Sequence, residues 1–184
     1  MNTPALVQKH SLNALTAVLF ALAAWRVGIS PELPAVLAFI FGGVLLAVID
    51  WKVQRLPTRL VYFTLAGVVA GQAFASLVEW DWTHLATALA GAGFFAGAYY
   101  AIWYAQRYIG FVVLGFGDVR LAGLLGAVLG WYGLDRVIQG AIVGHLLALV
   151  VGVGLCIRQR KLRLNFAFGP PLLLGALAIV LIHP

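Results

Sequence analysis

Residues 34–51 read PAVLAFIFGGVLLAVIDW. The run stays apolar until Asp50 and has about the length, close to 20 residues, that an α-helix needs to cross a bilayer core. It lacks the strict alternation of a half-buried strand. Working outward, comparable runs recur at about 11–29, 60–78, 84–105, 119–133, 137–157 and 167–183. The 184-residue chain is 63% hydrophobic and 10% charged, with a mean hydropathy of +1.00, whereas soluble domains carry about 25% charged residues. A water-soluble globule is excluded. The expected fold is all-α: a polytopic integral membrane bundle of about seven transmembrane helices (six to seven), forming a single domain over residues 1–184.

So little polar sequence leaves no room for a separate nucleotide-binding, haem or methyl-transfer domain, so any site must be built from the helices and their short loops. The net charge of +6 lies mostly in loops between apolar runs, where topology accounts for it and a nucleic-acid partner is not required. Membrane lipid is the expected surrounding. The single cysteine, Cys156, removes intramolecular disulfides and cysteine-based zinc sites. His10, His84 and His183 lie at helix ends without metal-binding spacing, so neither metal nor cofactor is expected. His145 falls mid-helix, where a neutral, hydrogen-bonded core histidine is the expectation.

Orientation follows from the bases. Lys52, Arg55 and Arg59 follow the second run, Arg107 the fourth, and Arg158, Arg160, Lys161 and Arg163 the sixth. With seven spans these loops share one side, which the positive-inside rule assigns to the cytoplasm. Glu32, Glu79 and Asp81 occupy the opposite loops and are expected to be solvated, as is Asp135. The N-terminus, with Lys9, is then cytoplasmic and the C-terminus external. A competing reading makes residues 11–23 a cleaved signal peptide ending at Ala21-Leu22-Ala23. The apolar run continues through Trp25, which favours a retained helix.

Gly67/Gly71, Gly126/Gly130 and Gly140/Gly144 have the small-xxx-small spacing that lets membrane helices approach closely, so packing is their expected role. Trp51, Trp80, Trp82, Trp131 and Tyr132 fall near helix ends, as interfacial anchors do. The Gly-rich stretch from Gly110 to Asp118 is expected to begin as a loop or re-entrant piece.

Two acids need another explanation. Asp50 ends an apolar run, and Asp118 opens the fifth helix after Gly115-Phe116-Gly117. An intramembrane acid costs about 2.5–3.5 kcal/mol on insertion scales and commonly faces a functional cavity. The second run heads inward and the fifth begins inside, so topology brings both carboxylates to the cytoplasmic face. Two carboxylates close together tend to share one proton. One can then take a proton from water while the other supports the oxyanion and protonates the leaving amine. The bland alternative pairs Asp50 with Lys52 or Arg55, and Asp118 with Arg120. Against it, Gly115 and Gly117 permit unusual backbone angles and close approach of a substrate strand.

At these residues the chain resembles the type IV prepilin peptidases, GxGD-type aspartic proteases of bacterial and archaeal membranes. Three stretches carry the resemblance, which spans roughly residues 40–180: DWKVQRLPTRL from Asp50, GFGDVRLAGLLGAVLGW at 115–131, and FGPPLLLG from Phe168. It implies that Asp50 and Asp118 are the catalytic pair, supported by the backbone at Gly115 and Gly117. The implied reaction removes the short basic leader of prepilins or pilin-like proteins at the cytoplasmic membrane face, after a Gly that precedes the substrate's hydrophobic segment. Larger members carry a Cys-x-x-Cys domain associated with N-methylation. The one cysteine here points to a peptidase-only form like those of Flp/Tad-type systems, without N-methyltransferase activity. Arg120 stands where the family commonly has Lys. Substrate orientation or charge compensation is open to Arg120, Lys52 and Arg55, and an Arg120 reaching lipid headgroups is equally open.

Two other readings compete. A non-enzymatic transporter or secretion-system scaffold would use lone acids as proton relays, but neither an inverted repeat nor paired broken helices support it. A presenilin-like protease cutting within the bilayer fits less well, since both acids lie toward the cytoplasmic helix ends.

Overall fold

The computed structural model describes residues 3–110, 114–159 and 167–182, with side chains from residue 12 onward except at 109 and 159. Those residues form seven helices and no strand: α1 (Thr3–Val27), α2 (Leu33–Val53), α3 (Thr58–Glu79), α4 (Thr83–Ile109), α5 (Phe116–Gly130), α6 (Leu134–Gln159) and α7 (Gly169–Ile182). The expected all-helical membrane bundle is the observed one. Four helices, Leu33–Val53, Thr58–Glu79, Thr83–Tyr108 and Leu134–Arg158, are long and apolar enough to cross a membrane. The described apolar parts of α1 and α7, Leu12–Val27 and Gly169–Ile182, are shorter.

Helix boundaries depart from expectation where local signals are hidden. Helix α1 begins at Thr3, well before residue 11. Helix α4 runs through Tyr108 to Ile109 and ends at Gly110, whose φ of 74° is left-handed and whose N–H donates to the Gln106 carbonyl at 3.2 Å. Glycine adopts that conformation at no steric cost. The expected loop or re-entrant piece falls partly on residues 111–113, outside the described residues, as are Arg160, Lys161 and Arg163 of the α6–α7 loop. Chain description resumes at Leu114, and α5 starts at Phe116, so Asp118 lies inside its first turn.

The 15-residue α5 is about 22 Å long at 1.5 Å per residue, short of the ~30 Å hydrocarbon core. It is the centre of the bundle: Leu121, Ala122, Leu124, Ala127 and Leu129 are wholly buried. Lipid is as apolar as leucine, so close packing rather than hydrophobic transfer must hold such helices together. The glycines supply it. A Cβ on Gly126 would sit 2.3 Å from the Gly91 carbonyl oxygen, one on Gly71 2.6 Å from the Ala35 nitrogen, and one on Gly175 2.5 Å from the Gly144 nitrogen. The three small-residue pairs are therefore helix contacts, as expected.

At the end of the bundle away from the α2–α3 loop, polar side chains satisfy carbonyls left over at helix C-termini. Arg26 donates from Nε to the Leu181 carbonyl at 2.7 Å and from Nη2 to that of Ile182 at 3.2 Å, tying α1 to the end of α7. Gln72 Nε2 donates to the Ala127 carbonyl at 2.9 Å, and His84 Nδ1 to that of Trp131 at 3.0 Å. Two expectations are corrected here. Trp131 is buried at 4% exposure, and its Nε1 donates to Glu32 Oε2 at 2.8 Å. It staples α2 to the α5–α6 turn instead of anchoring the interface, and Glu32 is half-buried rather than freely solvated. Trp51, Trp80 and Trp82 are exposed at helix ends, as anchors are.

Candidate active site

Asp50 sits one turn before the end of α2, which closes when the Gln54 N–H donates to the Asp50 carbonyl at 2.8 Å and Gln54 enters the left-handed region at φ 52°. That sharp exit sends the chain to Pro57 and the start of α3. The Asp50 side chain is buried at 5% exposure. Its Oδ2 accepts the backbone N–H of Gly169 at 2.9 Å. Gly169, Pro170 and Pro171 open α7, and proline has no N–H, so Gly169 is the first-turn position left to donate.

Asp118 is held the same way on a different helix. It occupies the third position of α5, and its Oδ2 accepts the N–H of Gly115 at 3.0 Å, the half of a capping box that needs no side chain at the N-cap. Both carboxylates therefore sit at helix N-termini, where the unpaired N–H groups and the helix dipole favour negative charge. Neither Oδ1 has a hydrogen-bond partner among the described residues.

The two acids line one cavity of about 370 Å³, with Gln54, Arg55, Leu56, Gly115, Gly117, Arg120, Ala167 and Phe168. Glycines make the enclosure possible. A Cβ on Gly169 would lie 2.8 Å from Asp50 Oδ2, one on Gly117 3.3 Å from Leu56 Cβ, and one on Gly115 3.4 Å from Asp118 Oδ2.

The bland alternative for the acids is not what the side chains do. Among the described residues the single ion pair joins Arg136 to Asp135 at 3.3 Å, and neither cavity carboxylate takes part in one. Arg120 donates from Nη1 to Thr58 Oγ1 at the start of α3, and its guanidinium lies 4.6 Å from the Phe116 ring centroid. It is thus anchored within the protein rather than reaching out to headgroups. Arg55 lines the cavity. Lys52 does not: it faces a separate hollow with Ala47, Val48, Trp51 and Pro170.

Sequence reasoning brought Asp50, Asp118, Gly115, Gly117, Arg55 and Arg120 to this place but missed Gly169, Phe168, Leu56 and Thr58 as parts of it. The Phe-Gly-Pro-Pro run was the available signal, since a glycine ahead of two prolines marks a helix start with one free donor. His145 is also corrected: it lies at the outer surface of α6, not in the core, although it is hydrogen-bonded as expected.

Comparison with known proteins supplies an independent line. A family model described as the type IV leader peptidase family matches residues 36–183. The chain is similar to a prepilin leader peptidase/N-methyltransferase of Escherichia coli K12, 32% identical over 133 residues, covering 72% of this chain and 56% of that protein. It is similar also to a protein of the same description from Pseudomonas aeruginosa, 30% identical over 160 residues, covering 84% of this chain and 51% of that one. The chain thus spans about half the length of the curated relatives it matches. No solved structure matches.

Proposed function

The chain belongs to the type IV leader peptidase family, and from that membership we propose that it is an aspartic endopeptidase of the bacterial or archaeal cytoplasmic membrane, acting as one domain. Its substrates are prepilins or pilin-like proteins, from which it removes the short basic leader at the cytoplasmic face. The observation that carries the reading is the shared cavity in which Asp50 and Asp118 each rest one oxygen on a glycine N–H.

In this mechanism the pair holds one proton between its carboxyl groups. The charged member takes a proton from a water molecule, whose oxygen bonds to the carbonyl carbon of the scissile peptide. The protonated member hydrogen-bonds to the developing oxyanion. Collapse of the tetrahedral intermediate breaks the C–N bond, and a carboxyl proton passes to the leaving amine. The glycine amides fix Oδ2 of each acid and leave Oδ1 for water and substrate. Arg55 and Arg120 add positive charge to the cavity wall, which offsets the anionic pair and orients the substrate backbone.

The test is co-expression with prepilin-like proteins of the same genome, with leader loss read by mass. Asp50→Asn and Asp118→Asn are each expected to lower cleavage by at least about 100-fold, the scale of lost acid–base catalysis, with membrane levels unchanged. Near wild-type cleavage by either variant would refute the dyad.

A further inference from the structure

The feature of this bundle that the proposed chemistry leaves unused is a polar chain running from α4 through α6 to the cavity wall. Tyr99 of α4 is buried at 3% exposure, and its hydroxyl lies 3.1 Å from His145 Nε2 of α6. The other ring nitrogen, Nδ1, lies 2.6 Å from the Ala141 carbonyl. A carbonyl only accepts, so Nδ1 carries a proton and donates to Ala141, which leaves Nε2 to pair with the Tyr99 hydroxyl. With both nitrogens engaged, the imidazole has one orientation.

That orientation sets a ring against the active-site wall. His145 meets Phe168 in a T-shaped contact, with centroids 5.5 Å apart and planes at 70°. Phe168 lines the cavity and directly precedes Gly169, the donor to Asp50 Oδ2. At its other end Tyr99 packs edge-on against Phe95 at 5.0 Å, on the helix that crosses α5 through Gly91 and Gly126. An imidazole at the outer face of a membrane helix is costly unless its polar atoms are satisfied, and here both are.

We propose that Tyr99 and His145 are positioning residues for the reaction: their hydrogen bond fixes the imidazole against Phe168 and so holds the Gly169 N–H on Asp50. The catalytic part of this inference rests on the peptidase reading above, while the mechanical part does not. Gly169 has no side chain of its own to pack, and a Cβ there would lie 2.8 Å from Asp50 Oδ2, so the ring contact of the adjoining Phe168 with His145 is what ties this donor to α6. Misplacement of a catalytic group by an ångström can cost two orders of magnitude.

The experiment uses the full chain in lipid nanodiscs and three variants, Tyr99→Phe, His145→Phe and the double, which retain ring bulk and lose the hydrogen bond. Two readouts are taken: hydrogen–deuterium exchange of the peptide that includes Gly169, and kcat and KM for leader removal from a prepilin. Each variant is expected to speed Gly169 exchange about tenfold and lower kcat about tenfold, with KM within twofold. The double variant is expected to lose no more than the worse single, because the pair acts as a unit. Unchanged exchange overturns the buttress. Faster exchange with unchanged kcat, a change confined to KM, or additive losses overturns the positioning role. An inert wild type, by contrast, refutes the peptidase reading and leaves exchange to decide the buttress.

Discussion

The backbone N–H of Gly169 meets Oδ2 of Asp50 at 2.9 Å, across 119 positions of sequence. This bond joins the start of α7 to the end of α2 and fixes one of the two cavity acids. Because a Cβ on Gly169 would lie 2.8 Å from the same oxygen, Gly169→Ala must displace the carboxylate. Leader removal is expected to fall roughly 100-fold, the cost of about an ångström of misplacement, with protein level preserved. Gly93→Ala, where a Cβ meets nothing within 4 Å, serves as the control and is expected to cleave normally.

The close α4–α5 crossing makes a separate prediction about stability. A Cβ on Gly126 would fall 2.3 Å from a backbone oxygen and 2.8 Å from a backbone carbon of Gly91, atoms that cannot rotate away. Gly126→Ala is expected to destabilise the bundle by about 1–3 kcal/mol, the range for overpacked cores. Gly97→Ala, with open space around it, is expected to be neutral or to stabilise by about 0.4–1 kcal/mol through the unfolded chain. Thermal unfolding in detergent distinguishes them, and equal melting temperatures would contradict the crossing.

Arg26 tests the opposite end. Its two hydrogen bonds to the carbonyls of Leu181 and Ile182 satisfy acceptors that α7 leaves unpaired. Arg26→Met keeps the apolar stem and loses the donors. A loss of about 1 kcal/mol is expected for an exposed pair, read as a fall of about 2–4 °C in Tm. No change in Tm would mean that water or headgroups replace the clamp without cost.

Asp81 gives a pH dependence whose sign can be worked out. The Thr83 hydroxyl at 2.6 Å and the Thr83 N–H at 2.8 Å both donate to Asp81 Oδ1, and these bonds hold its carboxyl below the usual range. A folded-state pKa below the unfolded one means a contribution present above the unfolded value and lost as pH falls through the folded value. Asp81→Ala should therefore lower Tm slightly at pH 7, with the gap to wild type closing toward pH 3. A gap that widens in acid would reverse the assignment.

Much of the fold was legible because membrane sequence is written in length and hydropathy. An apolar run such as 34–51 can only be a helix, since bilayer cores leave no water for unpaired backbone groups. The small-residue pairs read correctly for a related reason: without a hydrophobic drive between helices, close approach must be encoded in missing side chains. The candidate acids also stood out, being two of six Asp and Glu in the chain.

What the sequence by itself determined, then, was a helical membrane bundle with two acids brought to one end. Which partners those acids and their neighbours take was decided by tertiary structure alone. Trp131 looked like an interfacial anchor and is a buried staple to Glu32. His145 looked like a core residue and braces Phe168 from outside the bundle. Arg120 looked ready to form an ion pair with Asp118 and hydrogen-bonds Thr58 instead, keeping its charge in the cavity wall. Periodicity tells which residues share a face of one helix, but not which other helix that face will meet. Contacts such as Gly169 with Asp50 depend on backbone approach between distant segments, and only the folded bundle sets that distance.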